Sequence, residues 1–309
     1  MLKRVFNNRK NQIFLHNCLQ ISDFFRNFAV YLRQNMETTR QRLYKEYAGL
    51  VKSFADAVAG LPINGIPAPS IPIVGKNYDA CAYKMAFIGM ETKETNTSRN
   101  CRTFIEDPQK ALRKYENWFD KNTMFLHGEK SVYWRFIKHF LEHFYSPQTP
   151  KRLKKNADGR YHEILSSFIW GNANAIERYE VTAKANGVDR DVWKKVKKAS
   201  KPFDDIRHII EAAHPSVVFI TYKHVKEKYF LHDEDIYTYN QCGDGADVVF
   251  GHYYLHNQDT HVFVTPHPNW IARRGLSEKY ISALLSAIQD YEIWPNLPER
   301  IDDWNQENG

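Results

Sequence analysis

Lys84-Met85-Ala86-Phe87-Ile88-Gly89-Met90-Glu91-Thr92 is an apolar run that stops abruptly in polar and turn-forming residues. A short apolar run bounded in this way reads as a buried strand. Thr260-His261-Val262-Phe263-Val264-Thr265-Pro266-His267-Pro268-Asn269-Trp270, far along the chain, has the same form. Two further runs complete the set. Leu165-Ser166-Ser167-Phe168-Ile169-Trp170 leads into Gly171-Asn172-Ala173-Asn174, and Ser216-Val217-Val218-Phe219-Ile220-Thr221 follows His214-Pro215. Helical patterns separate them, over 108–119, 131–145, 189–200 and 203–213, with another over 277–290 after the last. Buried strands alternating with helices predict an α/β fold in three layers, α/β/α, around a central, mainly parallel four-stranded sheet. Val248–Leu255 is expected at its edge, antiparallel or as a hairpin arm.

The segment before this pattern divides in two. Leu43, Tyr47, Leu50, Val51, Phe54 and Val58 recur at helical spacing over 38–58, and Gly60 ends that helix. Residues 61–80 carry Pro62, Pro67, Pro69 and Pro72 and read as an extended connection. The expected organisation is a basic leader over 1–35, a helix and Pro-rich connection over 36–80, the α/β domain over 81–292 and a polar tail over 293–309.

Composition excludes several classes. The chain has 309 residues, 43% of them hydrophobic, enough for one large core. No apolar stretch approaches the roughly 20 residues of a membrane helix. Cys18, Cys81, Cys101 and Cys242 form no C-x-x-C pair and no cluster with histidines, which argues against a structural zinc or an iron–sulfur cluster and fits a reducing, cytoplasmic setting. The formal charge of +7 is misleading. Residues 1–35 hold six basic side chains against Asp23, a net of five, which leaves two for 36–309. The leader is acid-poor, has no clean signal-peptide core, and Met36-Glu37-Thr38-Thr39 reads as a start entering a helix. Binding to phosphate must therefore be argued from local patches: Lys151–Lys155, and Lys194, Lys195, Lys197 and Lys198 on one helix. Such runs are also ordinary solvated faces. There is no P-loop, no G-x-G-x-x-G and no G-x-S-x-G elbow.

In an open parallel sheet, ligands bind outside the carboxyl ends of the strands. Glu91 and His267 stand just past two such ends and form a candidate acid–base pair. Each has a plainer reading as turn chemistry after a strand.

The ordered combination resembles the uracil-DNA glycosylase superfamily as a divergent member. Gly89-Met90-Glu91-Thr92 stands where that family carries Gly-x-Asp-Pro or Gly-Met-Asn-Pro, and His267-Pro268-Asn269-Trp270 where it carries His-Pro-Ser-Pro. Asp205–Ile220 is similar to the helix-Pro-strand segment preceding the second motif, and the resemblance covers about 84–290. It implies a metal- and cofactor-independent hydrolase that removes uracil or another damaged base from single- or double-stranded DNA during base excision repair. Such enzymes flip the base into a pocket. The chemistry needs a group to position water, a neutral donor against the departing base, an aromatic face and an amide. The resemblance assigns water positioning to Glu91, although Glu and Thr92 depart from the family's Asp or Asn and Pro. It assigns the neutral donor to His267, and the base pocket to Gly89, Met90, Phe104 as stacking ring, and Asn172 or Asn174 as the amide. It assigns DNA contact to Asn269, Arg273 and Arg274, with Trp270 or Ile271 as a wedge. It implies a monomer with DNA as partner and no membrane. The other readings are a relative that binds nucleic acid or a nucleotide without hydrolysis, and a hydrolase of another nucleoside or glycoside using Glu91.

Overall fold

The computed structural model describes residues 37–90, 101–107, 131–145, 166–180 and 183–294, together with 113, 116, 117 and 119. The chain divides between Thr38 and Thr39 into two units, and the sheet and its helices belong to the unit from residue 39 onward.

The protein is α/β with one seven-stranded mixed sheet. Its strands are β1 (Ile73–Val74), β2 (Met85–Gly89), β3 (Phe168–Asn172), β4 (Val217–Ile220), β5 (Tyr237–Asp244), β6 (Val248–Leu255) and β7 (Thr260–Val264), in spatial order β1-β3-β2-β4-β7-β6-β5. The neighbouring strands β3, β2, β4 and β7 are parallel to one another. They are the four strands expected at 84, 165, 216 and 261. The sheet is nevertheless wider than a four-stranded one. β6 runs antiparallel on β7, β5 forms a hairpin with β6, and β1 closes the far edge antiparallel to β3.

The differences have local causes. β5 alternates Tyr, Thr and Asn with little burial on either face, so it lacks the apolar signal of a strand. Its pairing with β6 holds it in place. β1 comes from the Pro-rich connection, which enters the sheet for two residues against Ile169 and Trp170. β3 lies further on than its apolar run suggests. Gly171 and Asn172, which read as the turn, are paired with Ile88 and Gly89 of β2.

Two sets of helices cover the sheet. α1 (Thr39–Val58) packs on α4 (Arg190–Ala199), α5 (Arg207–Ala213) and the short α2 (Cys101–Glu106). Its buried side chains are Leu43, Tyr47, Val51, Phe54 and Val58, the stripe read from the sequence with Leu50 at its margin, together with Thr39 at the helix start. Asp79 receives the Thr39 amide at 3.1 Å at the helix start. The second set is α3 (Val132–Tyr145), α6 (Pro268–Arg273) and α7 (Ser277–Asp290), with α3 in contact with the other two. Within the expected helix 108–119, the described residues 113, 116, 117 and 119 are helical. Lys151–Lys155 lies outside the described residues. Among the described residues no helix is long and apolar enough to cross a membrane.

One aromatic row ties the layers together. Phe87, Phe219 and Phe263 are register partners on β2, β4 and β7, with stacked rings 4.9 and 5.7 Å apart. Phe140 of α3 sets its edge against Phe87 and Phe219. Each such ring pair adds about 0.5–1.5 kcal/mol beyond its area burial. The next position of the row, on β6, is His252, stacked on Phe263 at 4.8 Å.

Candidate active site

Numbered along the chain, the four parallel strands lie in the order second, first, third, fourth. The chain leaves β2 toward one side to make β3 and crosses to the other side to make β4. The strand order reverses between β2 and β4, and such a switch point is where an open α/β sheet receives a ligand.

The strand ends here are stitched together by backbone hydrogen bonds. The Ala173 and Asn174 amides donate to Gly89 O and Met90 O at 2.8 and 2.9 Å, and the Thr221 amide donates to Ile88 O at 2.9 Å. The Thr265 amide donates to Ile220 O at 2.9 Å, which brings Pro266 and His267 beside the same strand ends. Of the two asparagines, Asn174 clamps the loop, donating its side-chain amide to Met90 O at 3.1 Å. Asn172 donates to Ser70 Oγ at 3.2 Å and holds its Oδ1 over Gly89. A Cβ at Gly89 would come within 3.0 Å of that oxygen and 3.4 Å of the Tyr133 ring, so any larger residue there would press on the Asn172 side chain.

His267 caps the first turn of α6. Its backbone is extended, Pro268 occupies the first helical position, and Nδ1 accepts from the Asn269 amide at 3.2 Å. A nitrogen that accepts carries no proton, so the neutral ring bears its proton on Nε2. The local sequence thus fixes His267 as a directed N–H donor. The Tyr133 ring stands 6.4 Å away and nearly parallel, at 27°. Tyr133 also directs its hydroxyl at Phe87 O, at 3.4 Å, and burial pushes its phenol far above the usual range. It remains un-ionised at any physiological pH.

The site differs from its sequence reading in three places. Phe104 is buried against Phe54 and Phe203 at 6.3 and 6.4 Å and is a core ring of the α1 layer. Tyr133 is the ring between Gly89 and His267. Its sequence signal is weak because it lies beside the apolar stripe of its helix; its place in the first turn of α3 is the one available pointer. Ile271 is completely buried in the core and cannot enter a duplex, which leaves Trp270 as the wedge candidate. Trp270 and Ile271 lie on a helix, Pro268–Arg273. Glu91 and Thr92 lie outside the described residues.

At the mouth, the Arg274 guanidinium lies 4.5 Å from the half-exposed Trp270 ring, and the Lys223 ammonium lies 5.8 Å from it. Arg273, Arg274 and Lys223 are exposed, and Asn269 is half-buried in the first turn of α6. Lys223, in the loop after β4, carries no sequence signal. Among the described residues no group of three His, Cys, Asp or Glu side chains is arranged to hold a metal ion.

Comparison with protein-family models, curated proteins and solved structures found no match.

Proposed function

We propose that the crevice at the β2–β4 switch point is the base pocket of a uracil-DNA glycosylase-like enzyme, one that hydrolyses the N-glycosidic bond of uracil or another damaged base in DNA. In this reading the four parallel strands are the family-like core, and β1, β5 and β6 extend it. The observation that carries it is His267, whose Nδ1 accepts from Asn269 so that a neutral Nε2–H is the ring's donor.

Cleavage leaves negative charge on the departing base and positive charge on the sugar. A neutral imidazole N–H aimed at the base oxygen stabilises the first without itself losing a proton at neutral pH. Asn172 offers an amide to the base edge. Tyr133 offers an aromatic wall, and Gly89 lets the base approach the backbone of β2. Glu91 would orient the attacking water and stabilise the sugar cation. Trp270, flanked by Lys223 and Arg274, would fill the space left by the flipped base while the cations hold adjacent phosphates. The enzyme would act as an intracellular monomer and needs no metal or cofactor for these steps.

The same cationic–aromatic mouth supports a second reading, a relative that binds nucleic acid or a nucleotide without hydrolysis. One assay separates the two. Single- and double-stranded oligonucleotides carrying uracil or hypoxanthine are incubated with the protein and treated with alkali. Strand scission at the modified base is expected. Binding without scission on any substrate would establish the second reading, and neither binding nor scission would end both.

A further inference from the structure

A cavity of about 500 Å³ opens at the opposite end of the parallel strands, beside the start of β7. Its walls include His252, His261, Tyr254, Tyr291, Asp259 and Glu292. None of these is used by the base pocket.

His252 is the anomaly that draws attention to it. It occupies the β6 position of the phenylalanine row, 1% exposed, where packing alone would favour another apolar ring. Its Nε2 lies 3.0 Å from His261 Nδ1, and the two rings are within 10° of parallel with centroids 5.2 Å apart, an in-plane hydrogen bond. His252 Nδ1 is buried with no hydrogen-bond partner. Orphaned buried N–H groups are rarer than unfilled acceptors. His252 Nε2–H therefore donates to His261 Nδ1, and His252 Nδ1 is an acceptor awaiting a donor. Burial, with His261 as neighbour, holds His252 down to about 4, and burial does the same to His261 against the opposing pull of Asp259. The pair adds no positive charge at neutral pH.

The remaining walls share one preference. Tyr254 donates its hydroxyl to Asp259 Oδ1 at 2.9 Å and holds that carboxylate at the cavity wall. Asp259 and Glu292 both hold positive φ, at 49°, and both line the cavity. Tyr291 sits 4.0 Å from His252, and Tyr254 stacks on His261 at 4.5 Å. Among the described residues the lining holds two carboxylates and no lysine or arginine. Carboxylates and aromatic faces around an unfilled acceptor match a cation that carries N–H groups.

We propose that this cavity is a binding site for a small organic cation of the alkylammonium class, held between Asp259 and Glu292 beside Tyr291 and His252. The cavity is within the size range of small-ligand sites. The site is independent of the base pocket.

Titration calorimetry at pH 7.5 with putrescine tests it, alongside butane-1,4-diol as an uncharged analogue and tetramethylammonium as a cation without N–H groups. Putrescine should bind saturably, and the diol not at all. Tetramethylammonium should bind at least tenfold more weakly. The exposed-site double variant D259N/E292Q should weaken putrescine by at least tenfold with an unchanged thermal midpoint. H252F should weaken it by several-fold while Y254F has a smaller effect. Absence of putrescine binding at millimolar concentration, equal binding of the diol, or undiminished binding by D259N/E292Q would each overturn the proposal.

Discussion

His267 and His252 stand at opposite ends of one sheet and are held by different rules. His267 is placed by local sequence: a strand ends, proline starts a helix, and the ring receives the amide two residues on. Its proton is thereby placed on Nε2, in the same first turn as Trp270, whose ring meets Arg274 and Lys223. His252 is placed by sheet register alone, at the end of a row of phenyl rings, and its partner His261 arrives from the adjacent strand. Its surroundings are acidic rather than basic. Local capping decides which ring nitrogen carries the proton, whereas register makes a polar pair whose state depends on burial.

That contrast can be broken at several points. The largest effect is expected from His267→Ala, which should slow base release by roughly 10²–10⁴-fold with the fold retained, as removal of an oxyanion donor does. Single-turnover kinetics checks it, with circular dichroism as the control. Tyr133→Leu should cost about 1–3 kcal/mol of base stacking, roughly 5–150-fold in base release, while Tyr133→Phe stays near wild type. Equal losses in both variants would assign the effect to the hydroxyl and remove the stacking role.

Smaller effects test the two mouths. Lys223→Ala and Arg274→Ala should each weaken oligonucleotide binding across sequences and lower the salt slope by about 1. Anisotropy titrations at several salt concentrations measure this; an unchanged slope would show that neither side chain meets a phosphate.

At the other end the prediction concerns pH. His252 and His261 titrate near 4 in the fold against an ordinary value of 6.5. Between these values the unfolded chain binds protons that the fold refuses. Stability is therefore complete above about pH 6.5 and declines as pH falls toward 4, by about 1.4 kcal/mol per pH unit for the first proton taken up. Solvent screening makes the loss smaller for the half-exposed His261. Thermal midpoints between pH 7 and 4.5 should fall in the wild type and fall less in His252→Phe.

The interior of the fold is more legible in the sequence than its margins. β2 and β4 are buried on both faces, so they appear as unbroken apolar runs, and β7 carries a shorter one over Val262–Val264. β5 is exposed, and its place is set by pairing with β6 rather than by its own residues. β3 extends past its expected end because Gly171 and Asn172 resemble a turn until β2 is laid beside them. The site divides in the same way. Gly89, Asn172 and His267 follow directly from their strands and are legible. Tyr133 comes from a helix distant in sequence, and only the packing of α3 over the strand ends brings it to His267. Phe104 shows the converse: a favourable offset in sequence, yet a ring committed to the core with Phe54 and Phe203.

The central claim, that nucleic acid is handled at the carboxyl end of the sheet, is tested most directly by NMR titration of labelled protein with a uracil-containing oligonucleotide. Shift changes are predicted at the Trp270 indole, the His267 ring and the Tyr133 ring, with His252, His261 and Tyr291 unmoved. Changes confined to the His252–His261 end, with Trp270, His267 and Tyr133 unmoved, would contradict it.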